Sequence, residues 1–195
     1  MFTDYEVWLV ARKRENWFPY DGSPGHAFIG VTGVSIITGQ REAVRTYSFW
    51  PENSDTYRNQ EPGTDLTIDF KTDFDHLKDV LAGRSISPRG YAIRKMRLSK
   101  SQTEWLVKSG FYKAGCKKYI GALGVGDLCN CMDYSTRLWH YLTGGQEDLR
   151  IRAFGESWWV PILGPAQVFN HELWPDALVD AIEKMNQQDG DPFFN

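Results

Sequence analysis

The chain has 195 residues, a formal net charge of −3 and 14% aromatic residues, eight of them tryptophan. That length fits a single domain, residues 1–195, with enough chain to bury a sizeable core. Its slightly negative charge and scattered basic residues argue against nucleic acid as the main partner, and no apolar run is long enough to span a membrane.

The N-terminal Met1-Phe2-Thr3-Asp4-Tyr5-Glu6 lacks the cationic start and apolar stretch of a signal peptide. Arg94, Lys95, Arg97 and Lys100 cluster and read as a solvated face. There are three cysteines, Cys116, Cys129 and Cys131, so a single chain keeps at least one thiol free. Cys116 and Cys129 can pair in an oxidising compartment and leave Cys131 free; in a cytosolic setting all three stay reduced.

Tyr5 to Arg12 is rich in strand-forming residues and predicts the first strand. Lys13 to Gly25 holds prolines and glycines and reads as a loop. Gly25 to Val31 predicts a second strand with His26 at its head. After a turn at Gly39, Glu42 to Trp50 returns as a third strand, stopped by Pro51. Pro51 to Gly63 is polar and reads as a surface loop, and Leu66 to Phe70 is a short strand candidate.

A helix is predicted from Thr72 to about Leu81, with Phe74, Leu77, Val80 and Leu81 as its apolar face. Tyr91 to Leu98 predicts another strand. Ser101-Gln102-Thr103-Glu104 has capping-box spacing and opens a helix to Ser109, ended by Gly110. A glycine-rich connector, Gly115 to Gly126, follows.

The next helix runs from Cys131 toward Gly144-Gly145. Asn130 suits the N-cap, where its side-chain oxygen accepts from the Asp133 amide, and Asp133 suits the positive end of the helix. Ser135, Leu138, Trp139 and Leu142 share a face with Cys131. Free amides and the dipole at a first turn favour a thiolate there, and the same amides can hold a developing oxyanion. Beyond this helix, Arg150 to Val160 reads as a returning strand, Pro161 to Pro165 breaks it, and a last helix runs from Asp176 to about Gln187. The final residues read as loose.

A cysteine nucleophile needs a base within hydrogen-bond reach, and histidine serves best near neutral pH. His76 lies in an amphipathic helix and reads as a surface residue. His140 stands nine positions along the Cys131 helix, too far along its rise for contact. His171 reads as a cap or surface group. His26, heading an apolar strand directly after Gly25, can project off the end of a sheet toward a helix N-terminus. A zinc site from Cys116, Cys129, Cys131 and His140 is disfavoured, because Cys-x-Cys is not the usual ligand spacing. Neither a metal nor a cofactor is expected. Trp50 and the pair Trp158-Trp159 can line a groove, with core packing the better reading for at least two of them.

His26 at a strand head, a returning strand ending Trp50-Pro51, the helix start Leu98-Ser99-x-x-Gln102, Tyr119 before a glycine-rich connector, and Asn130-Cys131 opening a helix occur in that order. In this the chain resembles the circularly permuted papain-like fold, in the branch related to NlpC-type amidases and lecithin:retinol acyltransferase. The resemblance spans roughly His26 to Gly145. It implies an α+β fold, an antiparallel sheet packed against helices, with Cys131 as nucleophile and His26 as base and later acid. The third polar residue of that family, which orients the imidazole, falls on the strand after the histidine: Glu52 ranks first here and Ser48 second.

The activity so implied is amide hydrolysis by a cysteine peptidase or amidase, with peptidoglycan peptides as the first substrate class. An acyltransferase or thioesterase with the same dyad, or a non-catalytic binding module, is the alternative. A chain without a signal peptide that acts on peptidoglycan needs a dedicated secretion route, as an antibacterial effector toxin does, and such a toxin has an inhibitory immunity protein as partner.

Overall fold

Two long strands, β1 (Phe2–Arg12) and β2 (His26–Ser35), pair antiparallel, with Val7 opposite Val31 and Arg12 opposite His26. The computed structural model describes residues 1–13, 25–49, 66–109, 116, 118–119, 128–149 and 175–194. The expected strand at 150–160, and Trp50, Glu52, Trp158, Trp159 and His171, lie outside the described residues. β2 turns back into β3 (Arg41–Phe49) through residues 36–40, where Gly39 takes a φ of +67°. β4 (Leu66–Ile68) borders β3, and β5 (Tyr91–Arg97) borders β1 on the other side. The result is a five-stranded antiparallel sheet in the order β4-β3-β2-β1-β5.

Side chains alternate across this sheet. One set, Trp8, Val10 and Phe28, packs with Leu77 and Val80 of α1 (Lys71–Leu81). The other set, including Val7, Leu9, Ile29 and Val31, packs with α3 (Cys131–Leu142) and α4 (Pro175–Asp189). The architecture is therefore α+β, with helices on both faces. Gly30 belongs to the first set, and a Cβ there would sit 2.7 Å from a Leu77 methyl. Only a glycine lets α1 approach this closely.

Four details depart from the sequence reading. The buried stripe of α1 is Asp73, Leu77 and Val80, while Phe74 is half-buried, with the Lys78 ammonium 4.7 Å from its ring. The capping box near residue 100 is made by Ser99 and Gln102, two residues earlier than Ser101 and Glu104 and at the Leu98-Ser99-x-x-Gln102 helix start. Ser99 is extended and its hydroxyl accepts from the Gln102 amide, opening a short α2 (Lys100–Thr103) that continues as a π-helical turn, Glu104–Ser109.

Arg94 is not solvated: it is 1% exposed, because it shares the inward parity of Ala92 and Met96 on β5. The tail is not loose either. Lys95 donates its amide to Pro192, and Phe194 donates back to Lys95, so the tail extends the β5 edge. Two short parallel strands, β6 (Lys118–Tyr119) and β7 (Leu128–Cys129), lead into α3.

Candidate active site at the head of strand β2

Gly25 adopts a φ of +81°, a conformation open to glycine, and the chain enters β2 directly at His26. His26 shares parity with Phe28, and their rings stack with centroids 6.0 Å apart. It lies at the sheet margin, however, which lets groups from both helical layers reach it.

From the α3 side comes Cys131. Asn130 caps the helix as the sequence predicts: its side chain accepts from the Asp133 amide at 2.8 Å, and Asp133 accepts from the Asn130 amide at 3.3 Å. That reciprocal cap fixes Cys131 at the first helical position, free of any disulfide and 8% exposed. Its thiol is close enough to the His26 imidazole for the two groups to interact electrostatically. A disulfide joins Cys116 to Cys129 and so ties down the segment two residues before the thiol. The bridge also removes two ligands from the disfavoured zinc set. His140 faces the carbonyl of Glu147 through Nδ1 at 3.0 Å.

From the α1 side comes Asp73. Its Oδ1 lies 3.2 Å from Nε2 of His26, and its Oδ2 accepts from the Ser48 hydroxyl. All three are sealed from solvent, at 0% exposure for Asp73 and Ser48 and 1% for His26. Counting from the pair Ile29–Tyr47, the β2–β3 register sets Ser48 across from Phe28, on the His26 face.

The corner before α1 delivers the carboxylate. Asp69 holds a φ of +54°, its amide donates to the Thr46 carbonyl, and its side chain accepts from the Thr46 amide at 2.8 Å. This pins the helix start against β3 and brings Asp73 under His26.

Burial, the largest single influence, pushes the His26 pKa down. The charges of Asp73, whose Oδ1 lies 3.2 Å away, and then of Cys131 outweigh it and hold the imidazole at about 9. His76, one turn beyond Asp73, is half-buried and not the surface residue its sequence context suggests. Burial and the nearby Arg12 guanidinium lower its pKa.

Of the predicted site residues, the structure brings Cys131 and His26 together and sets Ser48 one step behind them. Glu52 lies outside the described residues; among the described residues a carboxylate stands beside the imidazole at Asp73, which the sequence reading passed over. A signal existed: Asp73 continues the Leu77–Val80 stripe by one turn, so an acid occupies a core-facing position. No family model, no curated protein and no solved structure matches this chain.

Proposed function

We propose that this protein is a cysteine hydrolase of amide bonds on a permuted papain-like fold, with peptidoglycan peptides as its first candidate substrates. The observation that carries the reading is the meeting of a free thiol at a capped helix start with a buried histidine from a strand head. In the reaction, with the proton of Cys131 already resting on His26, Sγ attacks the carbonyl carbon. The amides of the first turn of α3 hold the oxyanion.

The tetrahedral adduct then expels the amine, which takes its proton from His26. Water next attacks the thioester, giving a proton to His26, and the carboxylate leaves as the thiol is restored. A buried disulfide so near the nucleophile suits an oxidising compartment, in keeping with export as an effector that acts outside the cytoplasm and is restrained by an immunity protein.

Incubation with purified peptidoglycan and its muropeptides, read by mass spectrometry, tests this. The expected result is new pairs of amine and carboxylate fragments, reduced at least about a thousand-fold in Cys131→Ala. Cleavage undiminished in Cys131→Ala contradicts the proposal.

A further inference from the structure

The two longest strands end in water at a tip for which the proposed chemistry has no use. Among the described residues five large apolar side chains are exposed, and three of them, Met1, Ile36 and Ile37, lie together there, at 86%, 58% and 86%. We infer that this tip, the turn between β2 and β3 with Met1 beside it, is an anchor that enters the interface of a lipid bilayer. The inference does not rest on the hydrolase reading.

A turn at a water surface can leave its amides to solvent; this one does not. Ser35 donates its amide to the Gln40 carbonyl at 2.9 Å, Ile36 to the Met1 carbonyl at 3.2 Å, and Gly39 to the Ser35 carbonyl at 2.8 Å. The amides of Ile37 and Thr38 both reach the Ser35 hydroxyl oxygen at 3.4 Å, and that of Gln40 reaches the Thr38 hydroxyl oxygen at 3.2 Å. The Thr38 hydroxyl in turn donates to Glu42 at 2.7 Å. Every amide from Ser35 to Gln40 therefore has its partner inside the protein. Water cannot supply partners within a bilayer, so this is the condition a backbone must meet before it enters one.

Charge and area point the same way. Residues 1–3 and 35–40 carry no charged side chain, and the next charges along the hairpin, Asp4 and Arg41, neutralise each other at 2.6 Å. Three side chains cover far less than the roughly 1,200 Å² that a stable protein interface buries, and a convex tip offers a second copy no matching hollow. A bilayer needs no complementary shape and takes an apolar surface to a depth of about 5–10 Å. β2 is 10 residues long, so the tip stands about 30 Å from His26 at the other end of the strand. A chain anchored this way keeps its thiol and imidazole well clear of the lipid.

Flotation of the full chain with phosphatidylcholine vesicles, with and without phosphatidylglycerol, tests this. Wild type should rise with the neutral vesicles at millimolar lipid, as well in high salt as in low, and gain nothing from the anionic lipid. Ile36→Ser combined with Ile37→Ser should lower the partition at least about tenfold, with an unchanged melting curve because both side chains are exposed. In Ile37→Trp, lipids brominated in their acyl chains should quench fluorescence beyond the wild-type level. No flotation of wild type, flotation undiminished in the double variant, or no added quenching in Ile37→Trp overturns the inference. So does binding that needs the anionic lipid and vanishes in salt. A dimer that forms without lipid and is lost in the double variant overturns it in favour of a second copy of this chain.

Discussion

Two clusters of buried charge lie on opposite faces of the sheet, and they are wired for different ends. On the α3–α4 face, Arg94 donates to Glu147, Asp189, Asn186 and the carbonyl of Asp191. Glu147 in turn accepts from the Trp139 indole at 2.8 Å. A guanidinium keeps its charge at any working pH and here finds partners on every side. It clamps β5, the loop after α3 and α4 together, and has no proton to give. At the head of β2 the cation is an imidazole, held between one carboxylate and one thiol. Saturated charge makes a clamp; a titratable cation set against a nucleophile makes chemistry.

The contrast breaks most visibly at the clamp. Arg94→Met leaves Glu147 buried without its cation, and unfolding by urea should show a loss of about 3–5 kcal/mol. The alkylation profile of Cys131 should be unchanged in the folded fraction. A variant as stable as wild type would mean that the cluster is not what joins these elements.

The second test is a pH dependence of stability. A His26 pKa raised from 6.5 in the unfolded chain to about 9 in the folded one corresponds to roughly 3 kcal/mol. Because the folded value is the higher, that contribution is complete below pH 6.5 and is lost as pH rises through about 9. Asp73→Asn should therefore be much less stable than wild type at mildly acidic pH, and the gap should close in alkali. A gap that widens toward alkali has the wrong sign for this pair.

The smallest expected effect comes from the disulfide. Reducing the Cys116–Cys129 bridge, which spans 13 positions, should cost about 2–3 kcal/mol through the freed loop. It should also slow turnover, since Cys129 lies two residues before the nucleophile. Thermal melts and rates with and without a dithiol reductant measure both. Turnover that survives reduction intact would separate the bridge from the site.

Much of this was legible in the residues. β-branched and aromatic runs mark β1, β2 and β3, Gly39 marks the turn, and the Asn130–Asp133 cap locates Cys131 at a helix start. Gly25, with its positive φ, stands directly before His26 at the strand head. Parity was the neglected signal. Arg94 alternates with Ala92 and Met96, and Asp73 stands one helical turn before Leu77, so each charge occupies an inward position that local polarity disguises. What no local pattern carries is the pairing of Asp73 with His26. It depends on a left-handed Asp69 and on its hydrogen bonds to Thr46, which set the angle at which α1 meets the sheet.

The most direct measurement of the central claim is the rate of iodoacetamide alkylation at Cys131, followed across pH in wild type and His26→Ala. A coupled thiol and imidazole predict that wild type reacts faster than His26→Ala and that the two rates depend on pH differently. Superimposable profiles for the two proteins would contradict the account.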